Sequence, residues 1–147
     1  LVSACATLPD QKVERFTYPK EQAIVGDAKG RPYRVLGTVR SRVDYNSLNP
    51  DVDEKVLCKN YYNKSVRELV RDAKKQGADA VIDVRSVVFY DDGPSKTFPT
   101  PECSDDGGQG QILTQGIAVK WKPIPGREAD IISPSDQNRF VPAPGSN

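Results

Sequence analysis

Residues 65–77 constrain the fold more than any other stretch, because they carry start, stripe and stop signals for one amphipathic helix. Ser65 is a natural N-cap. Glu68, three residues on, completes a capping box in which each side chain satisfies the other's free backbone N–H. Val66, Leu69, Val70 and Ala73 recur at i, i+3, i+4 and i+7 and form one apolar stripe. Arg67, Arg71, Lys74 and Lys75 fall largely off it. Lys74 and Lys75 complement the negative end of the helix dipole, and Gly77 suits the left-handed position after the last turn. Such a stripe has to be buried against another element, so the rest of the chain must supply one.

Three alternating runs supply it. In residues 33–43, Tyr33, Val35, Val39 and Val43 form the expected inward face, with Arg34, Thr38, Arg40 and Arg42 outward. Gly37 on the inward face marks a bulge or a close backbone approach. The arginine row reads first as the solvated face of an antiparallel sheet. A grip on an anionic ligand such as lipid phosphate is the sharper alternative. Residues 80–90 form a second strand, with Ala80, Ile82, Val84 and Val88 inward and Asp83 and Arg85 outward. Residues 111–121 form a third, with Leu113, Ile117, Val119 and Trp121 on one face. The expected fold is α+β: one domain over 33–121, with a small, mostly antiparallel sheet of three core strands and helix 65–76 on one face. Long loops and extended tails complete it. Parallel pairing of 80–90 with 111–121 would need a crossover, and the loop 91–110 is too poor in apolar residues to provide one.

Residues 44–64 read as loop, with Asn49-Pro50-Asp51 as a turn signal. Asp51, Asp53 and Glu54 resemble a calcium loop only superficially, since the turn Gly and the closing bidentate acid are missing. Residues 6–32 read as a tether punctuated by Pro9, Pro19, Gly26, Gly30 and Pro32, with 13–18 a candidate edge strand. Residues 122–147 form a Pro-rich tail that would need something to hold it if ordered. A hydrophobic fraction of 37% agrees with part of the chain entering no core.

Function classes are narrowed by what is missing. The net charge is +1 with acids and bases intermixed, so no broad field draws nucleic acid. No run approaches the ~18–20 apolar residues of a spanning helix. Histidine is absent, which removes the usual base near neutral pH and the commonest metal ligand. No nucleophile elbow, phosphate loop, dinucleotide glycine motif or zinc spacing occurs. Asp91, Asp92, Asp105 and Asp106 sit in a Gly-rich loop, where aspartates act mostly as turn formers. No catalytic, cofactor-binding or metal-ligating residue is therefore assigned, and no cofactor is implied.

Three cysteines remain, Cys5, Cys58 and Cys103, an odd number. Leu1-Val2-Ser3-Ala4-Cys5 resembles a bacterial lipobox, with an aliphatic residue and two small ones before the cysteine. The resemblance implies a diacylglycerol on the Cys5 thiol, loss of residues 1–4 as a signal-peptide remnant, and a lipid-anchored tether over 5–32. A chain without any Met fits such processing. Two or three acyl chains anchor a protein durably where one does not. Ala6, in place of Asp, points under the enteric sorting rule to the outer membrane, facing the periplasm. With Cys5 lipidated, Cys58 and Cys103 are the remaining pair in an oxidising compartment, and a disulfide between them is expected. It would stabilise the fold by ~3–4 kcal/mol through the unfolded state. Free thiols, or a bridge between molecules, are the alternatives.

Two short runs resemble known domains. Gly30-Arg31-Pro32-Tyr33-Arg34-Val35-Leu36-Gly37-Thr38-Val39 resembles the first strand of the outer-membrane stress-sensor lipoprotein of the Rcs phosphorelay. Ala73-Lys74-Lys75-Gln76-Gly77-Ala78-Asp79-Ala80-Val81-Ile82 resembles its helix-to-strand joint, which YbjQ-type domains share. Both are fold signals, in which Gly ends a helix and Ala lets helix and sheet approach. The Rcs sensor carries two disulfides, whereas this domain has only Cys58 and Cys103, and Ser86 stands about where that family has a cysteine. No functional residue carries over. The expected function is a non-enzymatic interaction module of the cell envelope, either a sensor or a subunit of an assembly. Its partners would be the membrane, through the anchor, and other envelope proteins, in a homo- or hetero-oligomer. A metal- or small-ligand-binding envelope protein, using free Cys58 and Cys103, is the alternative.

Overall fold

The computed structural model describes residues 14–48 and 51–124. In chain order the elements are β1 (Tyr33–Asn46), α1 (Glu54–Lys75), β2 (Ala80–Tyr90), β3 (Gly93–Phe98), β4 (Ser104–Asp105) and β5 (Gln109–Trp121). The sheet has five strands in the order β1-β5-β2-β3, with β4 paired to β5. All strand pairs are antiparallel. The α+β class, with one helix laid on an antiparallel sheet, is thus as the sequence implies. The three expected core strands are β1, β2 and β5. The count is too low because 91–110, read as loop, contributes β3 and β4. β3 is Gly-Pro-Ser-Lys-Thr-Phe and exposed until Phe98, so it has no apolar alternation to detect. Backbone pairing to β2 makes it a strand.

The helix packs on β5 and its neighbours. Val66 and Leu69 are fully buried and Val70 and Ala73 nearly so, joined by Val39, Val43, Val81, Val84, Ile112 and Ala118 from the sheet. A side chain at Gly116 would overlap that of Val81 on the neighbouring β2 and crowd the Ile82 carbonyl, so glycine is what lets β2 and β5 lie together here. Ser65, Ser86 and Thr114 are also buried, and each hydroxyl is partnered. Ser65 Oγ lies 2.7 Å from Thr114 Oγ1, and Ser86 Oγ donates to the Thr100 carbonyl at 2.7 Å. At the end of α1, Gly77 takes φ 89°. Its N–H donates to Lys74 O at 2.9 Å, and that of Ala78 to Ala73 O at 3.1 Å, which satisfies carbonyls of the last turn.

Three sequence assignments need correction. First, the single inward faces of β1 and β2 are broken by bulges. Register slips between Val35 and Gly37, with Leu36 inserted. Tyr33 and Val35 therefore leave the helix face, and Tyr33 meets Trp121 edge-on at 6.5 Å. Gly37, at φ 151°, is the residue of this bulge that tolerates such a backbone. In β2 the slip falls between Ile82 and Arg85, with Asp83 at φ 52°. Ala80 and Ile82 pack with Val119 on the back of the sheet, while Val84 packs under the helix. A one-residue insertion switches every later side chain to the other face.

Second, α1 begins at Glu54, not at Ser65. Asp53 is the N-cap and accepts from Lys55 N at 2.7 Å. The capping box Ser65/Glu68 does not form, since Ser65 lies in mid-helix and Glu68 accepts instead from Ser41 Oγ at 3.5 Å. Third, the run read as a tether belongs to the domain from Glu14 onward, and the domain extends beyond 33–121 accordingly. Phe16 and Ala23 are buried. Residues 22–26 follow the free edge of β2 where β3 does not reach, through Val81 N to Gln22 O at 2.8 Å, Ile24 N to Val81 O at 2.9 Å and Asp83 N to Gly26 O at 2.9 Å. Ile24 and Ala28 then cover Ala80, Ile82 and Val119 from behind. No strand forms at 14–18; Val13, the start of that candidate, lies outside the described residues, as do Cys5 and residues 125–147.

Candidate functional site

Polar and chemically distinctive residues gather at one corner, where the first turns of α1 meet β1, β4 and the loop 99–103. Cys58 on α1 and Cys103 before β4 form a disulfide, with Cα atoms 5.9 Å apart across a sequence separation of 45. Cys58 is thus helical, not in a loop as its surroundings imply. Beside the bridge, Tyr45 of β1 stacks on Tyr61 of α1, with centroids 4.6 Å apart and planes at 4°. Tyr61 in turn meets Phe16 at 5.6 Å. Tyr45 lies flat over Gly110, its partner across the β1–β5 ladder, and any Cβ at Gly110 would overlap the ring. A large ring opposite a glycine covers backbone that would otherwise be bare.

An open cleft of ≈ 530 Å³ lies over this corner, lined by Tyr45, Glu54, Cys58, Lys59, Glu102 and Asp105 among others. Two of its three acidic groups, Glu54 and Asp105, interact. The Asp105 carboxylate hydrogen bonds with Glu54 and repels its charge, which raises the Glu54 carboxyl. Asp105 itself is held below the ordinary carboxylate range, first by the N–H of Gly107 at 2.7 Å and then by the Ser47 hydroxyl at 3.0 Å. Asp106 is lowered by the N–H groups of Gln109 and Gly108, at 2.8 and 3.0 Å. Both aspartates thus serve the turn into β5, the role assigned to them from sequence. The Tyr45 phenol is pushed up to about 12 by burial, reinforced by Asp105 and Glu54, so it is protonated at any physiological pH. Both sulfurs are bonded to each other, and the corner presents no thiolate nucleophile or soft metal ligand. Its chemistry is that of a stapled, partly aromatic surface with exposed carboxylates.

A feature missed by sequence reasoning adjoins it. Residues 14–18 lie along α1 as a strap. The Phe16 N–H donates to Asn60 Oδ1 at 2.8 Å, Asn60 Nδ2 donates to the Glu14 carbonyl at 2.7 Å, and Asn63 Nδ2 to the Phe16 carbonyl at 3.1 Å. Two carboxamides at i and i+3 on one helix thus satisfy the backbone of an extended segment, as a neighbouring strand would. Lys64 and Arg67 lie over the Phe16 ring at 5.0 and 5.1 Å. The available signals were Phe16 and Tyr18 within an otherwise polar run, and the Asn60/Asn63 spacing.

No family model matches this chain, and no curated protein matches it. Among solved structures, a protein of unknown function of the DUF74 family from Pediococcus pentosaceus ATCC 25745 is similar, with a TM-score of 0.49 and 12% identity. The match covers 68% of this chain and 96% of that one.

Proposed function

We propose that this chain is a lipid-anchored module of the bacterial cell envelope, facing the periplasm from the outer membrane, that acts by binding other envelope proteins and not by catalysis. The observation that carries the reading is the Cys58–Cys103 disulfide, which closes a span of 45 residues and staples the corner of the domain. Such bridges persist in oxidising compartments, which is where a lipidated Cys5 would hold the domain. The strap supports the same picture: residues 14–32 pack onto the domain, so the described body begins nine residues after Cys5. The module serves as an envelope sensor or as a subunit of an envelope assembly. The metal- or small-ligand alternative is weakened, because the thiols it needs are spent in the bridge.

Labelling tests the anchor. Expressed with a lipoprotein signal in a Gram-negative host, the chain should incorporate labelled palmitate, and Cys5→Ala should abolish incorporation. Label that survives the substitution would refute the anchor. Crosslinking in intact envelopes should then recover the chain joined to envelope proteins. Recovery as an uncrosslinked monomer in both membrane and soluble fractions would count against the interaction role.

A further inference from the structure

On its outer side α1 carries Lys64, Arg67, Arg71, Lys74 and Lys75, spaced i, i+3, i+7, i+10 and i+11, which places them along one stripe. We infer that this stripe is a docking surface for anionic phospholipid headgroups, laying α1 along the membrane to which the chain is anchored. The choice of occupant rests on the proposed lipid anchor; the surface itself rests on the geometry that follows. Arg67, Arg71, Lys74 and Lys75 are exposed and Lys64 partly so. Glu68, on the same helix, is turned toward the sheet and accepts from Ser41 Oγ. Arg71 does approach Asp72, at 3.6 Å, but both side chains are largely in water, where such a pair is weak. The stripe therefore keeps most of its positive charge although the whole chain is nearly neutral, at +1.

The strap decides which partner this charge meets. Residues 14–18 are fastened to the same helix by Asn60 and Asn63, and Phe16 lies directly under Lys64 and Arg67. The chain leading back to Cys5 thus departs from beside the stripe. Nine residue steps separate Cys5 from Glu14, a reach of at most about 30 Å even when fully extended. An anchored domain cannot carry the stripe far from the bilayer surface. Lysine and arginine heads on long apolar stems are suited to lie at headgroup level.

The full chain carrying Cys5→Ala, and hence no acyl group, isolates the stripe from the anchor. It should sediment with vesicles rich in phosphatidylglycerol at low ionic strength and remain in solution with phosphatidylcholine vesicles. Binding should fall at least about tenfold for Arg67→Glu/Arg71→Glu, and also on raising salt, which shortens the Debye length from about 30 Å at 0.01 M to about 8 Å at 0.15 M. Lys74→Gln/Lys75→Gln, at the exposed end of the helix, should weaken binding less and leave the circular dichroism unchanged. It keeps the test decisive should the double reversal unfold. No binding to anionic vesicles at low salt, equal binding to both lipids, or binding indifferent to salt and to both variants would overturn the inference. Palmitate labelling of the unmodified chain reports on the anchor alone, so failure of either reading is seen separately.

Discussion

Within α1, residues 65–75 bury Val66, Leu69, Val70 and Ala73 against the sheet, whereas residues 54–64 bury Leu57 and Tyr62 and are otherwise gripped from outside. The first segment is held by a continuous apolar stripe. The second is held by the Cys58–Cys103 bridge, the Tyr45–Tyr61 stack and the strap clamped by Asn60 and Asn63. The difference separates two ways of making a helix. Periodic burial is local and cooperative along the helix, while staples act at single points and depend on distant parts of the chain arriving first. The C-terminal half should therefore define the stability of the whole domain, and the N-terminal half should be separable from it.

The largest expected effect is in the C-terminal half. Leu69 is fully buried, and Leu69→Ala should lower unfolding free energy by about 2–5 kcal/mol, with all probes in a urea melt moving together. A much smaller loss would mean that the stripe is not what holds the helix. Next comes the bridge. Replacing both Cys58 and Cys103 with alanine removes a closed loop of 45 residues, which the chain-entropy model places at about 4 kcal/mol. Here the loss should be partly local, with the first half of α1 and the loop 99–103 loosening before the rest.

Two smaller substitutions sharpen where the helix starts. Ser65→Ala leaves the buried Thr114 hydroxyl without its partner at 2.7 Å and should cost about 1–3 kcal/mol. Asp53→Ala removes the observed cap and should cost about 1 kcal/mol, with fraying confined to residues 54–57. Were Ser65 the cap, Asp53→Ala would be silent in the helical signal.

Titration gives the gentlest test. Tyr45 and Tyr62 phenols are pushed up to about 12, mainly by burial. A folded value above the unfolded one means their contribution is intact below pH ~10 and is lost as pH rises through about 12. Ultraviolet titration should show these two tyrosines ionising last, with unfolding accompanying them. Asp105 and Asp106 run the other way. Their lowered carboxyls support the turn above the ordinary carboxylate pKa, and that support fades as pH falls below it.

The legibility of the chain follows the same division. Val66, Leu69, Val70, Ala73 and the C-terminal stop at Gly77 were readable because their spacing and chemistry are local. So was the shared face of Leu113, Ile117, Val119 and Trp121, although the residues that pack on its Ile117–Trp121 end, Ile24 and Ala28, come from a run with no apolar period. Residues 54–64 were not readable. Asn, Lys and two adjacent tyrosines make no stripe, and Ser65/Glu68 offered a plausible start eleven residues late. The bulge at Leu36/Gly37 was signalled by a glycine on the inward face of its strand, whereas the one at Asp83 is invisible to alternation counting, since it inserts one residue with no glycine to mark it and leaves good alternation on both sides. At the candidate corner, Cys58 and Cys103 could be paired by counting, but their neighbours Tyr45, Tyr61 and Phe16 meet only through tertiary structure.

Hydrogen exchange on α1, with the bridge intact and after reduction with a thiol, tests the division most directly. The account predicts that reduction strips protection from amides in residues 57–64 while those in 66–75 keep most of theirs. Uniform loss along the whole helix, or no change in either half, would contradict it.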